Sequence, residues 1–204
     1  MLTIYLTRHG QTEWNVSQRM QGWGNGELTE LGIADAKKLS SRLKDTHLDK
    51  IYSSTSKRAY LTAEIIKNGR NISLIKDDVF REMCFGDWDG QFRNDIIANY
   101  PDDFHAFWET PHNFDRSNFG CETFAQLKER VQKALQMIVE QNKEGTVLVV
   151  AHSIFLRMLL AIIKHMPISD IFKQNAPANT SLTKVLYDGQ NFIIEYESDM
   201  SHAN

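Results

Sequence analysis

The pattern of this chain predicts an α/β fold: a three-layer α/β/α sandwich around a mainly parallel mixed sheet. Three observations point there. Short apolar runs rich in β-branched residues alternate with amphipathic helical stretches along most of the 204 residues. One of these runs, "TVLVVAHS" at 146–153, is too apolar for a strand with a wet face and belongs at the centre of a sheet. Near the end, "SLTKVLYDGQNFIIEYE" at 181–197 holds two strand-like runs around Asp188 and Gly189, the signal of an antiparallel hairpin.

The elements follow in chain order. "MLTIYLT" at 1–7 has no basic lead-in and no small-residue cleavage site, so it predicts a buried strand rather than a signal peptide. Thr29 can cap a helix over 29–44, where Ile33, Ala36, Leu39 and Leu43 recur at helical spacing. "DKIYSS" at 49–54 is a short strand, Ala59, Ala63 and Ile66 mark the next helix, and "ISLIK" at 72–76 another strand. The longest helix carries its stripe at Phe124, Leu127, Val131, Leu135 and Ile138. After the central strand, "IFLRMLLAIIKH" at 154–165 is helical, and Pro167 and Pro177 punctuate the segment between this helix and the hairpin. The stretch from about 85 to 120, rich in aromatics with Pro101 and Pro111, looks like an insertion beside the sheet.

The length fits one domain over 1–204, burying roughly 70% of the surface of the unfolded chain. Cys84 and Cys121 match neither a disulfide framework nor a zinc site, which fits a reducing, cytoplasmic setting. The apolar run "FLRMLLAII" at 155–163 is too short to span a bilayer and contains Arg157. A net charge of −3 argues against a sequence-independent nucleic-acid binder. Neither nucleic acid nor membrane is expected as a partner, and the aromatic-rich insertion leaves a homodimer open.

The chemistry lies at strand ends. "TIYLTRH" closes on Arg8 and His9, and "TVLVVAH" closes on His152. Parallel neighbours would bring the two imidazoles together at the carboxyl edge, where ligands of such folds bind. "DKIYSS" leads into Arg58 at a helix start, bringing a second guanidinium to the same mouth. Such a pocket suits a phosphoryl group, because guanidinium forks match its oxygens and positive side chains can replace a metal. A neutral imidazole can attack phosphorus. Gly10 would let the chain turn sharply beside the ligand.

In these motifs the sequence resembles the histidine phosphatase superfamily, in its phosphoglycerate mutase-like branch. "RHGQTEWN" carries the Arg-His-Gly signature, and "QGWGNGELTELG" (21–32), "YSSTSKRAYLTAE" (52–64), "REMCFGDWDG" (81–90), "GCET" (120–123), "VLVVAHS" (147–153), Asn179 with Ser181, and "DMSH" (199–202) follow in order. The resemblance implies a phosphoglycerate mutase-like sandwich with His9 as the nucleophile that becomes phosphorylated. It implies that Arg8, Arg58 and His152 grip the phosphoryl oxygens, that Asn15 and Gln21 line the pocket, and that Glu82 is the proton donor and later the base. No cofactor and no metal are implied, and the expected partner is a small phosphorylated metabolite.

The pattern departs at several positions. Ser153 and Ile154 replace the usual glycine pair after His152; Ser153 can cap the next helix and offer its N–H to phosphate, and a bulky Ile154 would narrow the pocket. Cys121 replaces a glycine, and Asn25 and Glu27 replace an Asp and a Pro. "FGDWDG" is similar to the acid block of phosphatase-like members, so hydrolysis of phosphate monoesters is the expected activity. A cofactor-dependent phosphoglycerate mutase, with Arg81, Arg93 or Arg116 holding a carboxylate, is the alternative, and a non-catalytic phospho-ligand binder is a further one. A nucleotide-binding redox domain lacks its Gly-rich turn here. Of the other histidines, His47, His105, His112 and His165 are expected at the surface or in structural roles, and only His202 has some motif context. The aromatics Phe104, Phe107, Trp108, Phe114 and Phe119 either cover the substrate or, the blander expectation, pack the insertion.

Overall fold

The computed structural model describes residues 1–203 and shows a six-stranded mixed sheet with helices on both faces. In chain order come β1 (Leu2–Arg8), a helical turn α1 (Glu13–Val16), α2 (Glu30–Arg42), β2 (Lys50–Ser54), α3 (Lys57–Lys67) and β3 (Ser73–Asp77). The middle of the chain forms α4 (Arg93–Asn99), α5 (Pro101–Glu109) and the long α6 (Phe124–Gln141). It closes with β4 (Gly145–Ala151), α7 (Ser153–Ile163) and the hairpin β5 (Leu182–Tyr187) and β6 (Phe192–Asp199). The strands lie in the order β3-β2-β4-β1-β5-β6. The first four are mutually parallel, and β5 and β6 run antiparallel to their neighbours.

The apolar run of β4 takes the interior place its composition requires, between β2 and β1. Its side chains alternate between two cores. Val147 and Val149 face Phe124, Leu127 and Val131 of α6 and Phe155 and Leu159 of α7, whereas Leu148 and Val150 face Leu39 of α2 and Ala59, Ala63 and Ile66 of α3. The register pairs Arg8 with Ala151, so β1 and β4 end level and His9 and His152 follow side by side.

Local signals set the helix starts. Thr29 caps α2 by accepting from Gly32 N, and Thr123 forms a capping box with Gln126 at the start of α6. The N-cap of α7 is His152, not Ser153, and its side chain makes no capping bond. The Glu82 carboxylate takes that part: its oxygens accept from Ile154 N at 3.1 Å and Phe155 N at 2.9 Å. Ser153 is instead the first residue of the helix.

The 85–120 stretch is less detached than its composition suggests. Trp88, Phe107 and Phe114 are buried with Phe124 of α6, and Phe107 lies edge-on to Phe114 with ring centroids 5.0 Å apart. Phe119 points away, 55% exposed. No helix of the described residues is long and apolar enough to cross a membrane.

Candidate active site

At the carboxyl edge of β1 and β4 a cleft of about 270 Å³ opens, lined by Arg8, His9, Asn15, Gln21, Glu82 and Ser153 among others. His9 is almost fully buried. Its Nδ1 lies 2.8 Å from the carbonyl of Gly10, so Nδ1 carries the proton as donor and Nε2 keeps its lone pair. The neighbouring ring of His152 has its centroid 5.2 Å away. Burial first, then the nearby Arg58 charge, holds both imidazoles well below the ordinary histidine pKa. Neutral His9 is the form a nucleophile needs.

Arg58 and His152 form the floor beneath this cleft rather than its wall. The Arg58 guanidinium donates from Nε to His9 Nε2 at 3.3 Å and from Nη2 to His152 Nδ1 at 3.1 Å. Its other bonds go to backbone carbonyls: Nη1 to Gly24 O at 2.6 Å, and Nη2 to Gln21 O at 2.8 Å and Gly22 O at 2.9 Å. The expected open fork is therefore largely occupied by the 21–24 loop. Burial lowers its pKa to about 10, so it stays cationic at neutral pH. Arg8 spends Nη1 on Pro177 O at 3.0 Å. Arg8 Nε, Gln21 Nε2 and His152 Nε2 are buried without a hydrogen-bond partner among the described residues. Three unsatisfied N–H positions around His9 fit an acceptor-rich anion such as a phosphoryl group.

Glu82 lines the same cleft, and its Oε1 also accepts from Met83 N at 3.0 Å. With three backbone donors, the carboxylate is fixed in direction. Asn15 caps α1 from within: its Oδ1 accepts from Thr12 N at 3.0 Å, while Thr12 Oγ1 donates to Gln21 Oε1 at 2.9 Å. Ser153 and Ile154 both line the cleft.

Gly10 has a different reason from the one expected. A Cβ there would lie 2.6 Å from Gly32 O, so close approach of α2, rather than of ligand, demands glycine. Of the three arginines considered for a carboxylate, only Arg93 lines the cleft. Arg116 is buried against Asp87 and Asp103, and Arg81 lies over the Trp23 ring at 4.1 Å. His202 is far from His9 in role: it meets Arg42 at 3.3 Å.

Several residues of the site escaped sequence reasoning. Thr62 Oγ1 accepts from Gly10 N at 3.0 Å, and Asn179 Nδ2 donates to His9 O at 2.8 Å; the first is hidden as an ordinary buried helix residue, the second sat in a recognised block without a role. Trp14, Phe85 and Trp108 form apolar walls of the cleft. Trp14 lies inside the block that opens with Arg8 and had no role assigned, whereas Trp108 is the one of the five aromatics weighed for covering the substrate that the fold of α5 brings to the cleft.

A sheet of this order, with two histidines and two arginines at its carboxyl edge, defines a phosphoglycerate mutase-like α/β protein. The model of the "Histidine phosphatase superfamily (branch 1)" matches residues 4–199, and the chain belongs to that superfamily. It is similar to phosphoserine phosphatase 1 of Hydrogenobacter thermophilus, 36% identical over 78% of this chain and 74% of that one. Two Arabidopsis thaliana proteins, phosphoglycerate mutase-like protein 4 and metal-independent phosphoserine phosphatase, are each 31% identical over 98% of this chain and cover 86% and 83% of their own lengths. The solved structure of Bacillus stearothermophilus YhfR superposes with a TM-score of 0.96 over 100% of both chains at 40% identity.

Proposed function

We propose that the protein is a metal-independent phosphatase that hydrolyses small phosphate monoesters through a phosphohistidine at His9. The observation that carries this reading is the His9 ring: Nδ1–H bound to the Gly10 carbonyl, Nε2 beside Arg58, and donors without partners around it. The Arg58 Nε–H leaves His9 Nε2 for a phosphoryl oxygen, the freed Nε2 lone pair attacks phosphorus, the bond to the departing alcohol breaks, and Glu82 gives that oxygen its proton. The Glu82 carboxylate then takes a proton from water, which attacks the phosphohistidine and releases inorganic phosphate. Arg8, Gln21 and His152 hold the phosphoryl oxygens as charge builds on them, with Asn15 and the Ser153 N–H beside them.

The cleft volume of about 270 Å³ supports a small metabolite as substrate. The free thiols of Cys84 and Cys121 support a cytoplasmic location, and the relative named metal-independent supports hydrolysis without a metal. A mutase is the second reading, favoured by Arg93 at the cleft wall. The test is phosphate release from an aryl phosphate in the presence of a chelator, comparing wild type with His9→Ala. Release by wild type alone is expected. Transfer to a second phosphate acceptor without release would favour the mutase, and no transfer at all would leave a phospho-ligand binder.

A further inference from the structure

One carboxylate beside the site takes no part in the phosphatase reaction. Asp89, half-buried at the end of the "FGDWDG" block, accepts from Gly22 N at 3.0 Å through Oδ1 and from Trp23 N at 2.9 Å through Oδ2. The same loop is fastened to the acid block a second time, because Trp23 Nε1 donates to Glu82 O at 3.0 Å. Gly22 lies flush against that block: a Cβ would stand 2.3 Å from Asp89 Oδ1 and 2.7 Å from Met83 O. The opposite side of the loop presents the carbonyls of Gln21, Gly22 and Gly24, and these hold Arg58.

We propose that Asp89 is a positioning residue for phosphoryl transfer: by fixing the N–H groups of Gly22 and Trp23 it aims the loop carbonyls that press the Arg58 guanidinium against His9 and His152. The inference rests on the phosphoryl-transfer reading of the His9 site. An arginine side chain has many rotamers, and an anchor of three carbonyls confines it only while the carbonyls themselves stay put. A carboxylate with two charge-assisted bonds to consecutive N–H groups supplies that rigidity. Asp89 has no hydrogen bond to His9; the loop it fixes meets Arg58 through three carbonyls and the Glu82 carbonyl through Trp23, and the coupling to Arg58 tells the two routes apart.

The distinguishing experiment is a double-mutant cycle on the full chain with wild type, Asp89→Asn, Arg58→Gln and the pair. The affinity for inorganic phosphate is measured by calorimetry, and kcat/KM for an aryl phosphate alongside. Asp89→Asn keeps the size but replaces one acceptor by an amide N–H₂, so a loss of at least tenfold in both readouts is expected. In the Arg58→Gln background the same change should cost less than about threefold, because the group it positions is gone. Full additivity of the two losses, or no loss from Asp89→Asn alone, would overturn the proposal.

A purely structural role would lower the melting temperature without this coupling to Arg58. If Asp89→Asn does not fold, Asp89→Ser, which adds no bulk against the loop and removes one of the two acceptors, takes its place in the cycle, with the same coupled loss expected and additivity again the contrary result. Phosphate binding is read without turnover, so wild type that binds phosphate but hydrolyses nothing would sink the phosphatase reading while leaving the cycle decisive for Asp89.

Discussion

His152 and His9 are neutral because they are buried beside arginines, and this has a consequence for stability. Their folded pKa values lie well below the ordinary 6.5, so in acid the unfolded chain binds protons that the folded chain refuses. Stability from this source is complete above about pH 6.5 and is lost as pH falls below it, by up to about 1.4 kcal/mol per pH unit for each histidine. Urea titrations between pH 7 and pH 5 should show this slope, and His152→Asn should flatten it; an unchanged slope would mean that His152 is protonated in the fold. Glu82 joins chemistry to architecture at the same scale. Glu82→Gln should slow alkyl phosphates more than aryl phosphates, whose leaving groups need less help from an acid. Glu82→Ala should in addition cost about 1–3 kcal/mol, since Ile154 N and Phe155 N at the start of α7 lose their acceptor.

At the scale of elements, α5 shows how the middle of the chain is made part of the core. Phe107 is fully buried against Phe85, Phe114 and Phe124, with ring centroids 5.7, 5.0 and 5.2 Å away. Phe107→Ala should destabilise by about 3–5 kcal/mol in denaturant unfolding. The next residue, Trp108, forms part of the cleft wall, so that variant should also raise KM for an aryl phosphate while the pH profile keeps its shape. A KM left at the wild-type value would show that α5 packs the core without shaping the cleft. The start of α2 was legible in the sequence, because the Thr29 hydroxyl meets an N–H three residues on; the structure shows the same device at Thr123 for α6. The start of α7 was not legible: its acceptor comes from Glu82, more than seventy residues earlier.

The whole molecule depends on how closely its layers approach at the site. Gly10 follows β1 and Gly32 lies in α2, and each leaves no room for a Cβ against the other segment: 2.6 Å to Gly32 O from the first, 2.2 Å to Gln11 O from the second. Gly10→Ala should therefore lower both the melting temperature and phosphate release, because the neighbour it strikes is backbone and cannot swing aside. A variant with wild-type stability and lost activity would instead return Gly10 to the ligand-side role first expected of it.

The sequence by itself determined the succession of strands and helices, the central place of β4, the closing hairpin and the ends of β1 and β4 at which Arg8, His9 and His152 emerge. Periodicity and the apolar content of single segments suffice for those, and an ordered series of motifs pointed to the family. Only the tertiary structure decided that Arg58 is clasped by the carbonyls of the 21–24 loop, that Glu82 caps α7, that Arg93 reaches the cleft while Arg116 is locked to Asp87 and Asp103, and that the aromatics divide between core and wall. Each of these is a meeting of donor and acceptor, or of two surfaces, from segments distant in sequence. Their partners are chosen by the approach of whole layers, which no local pattern of residues encodes.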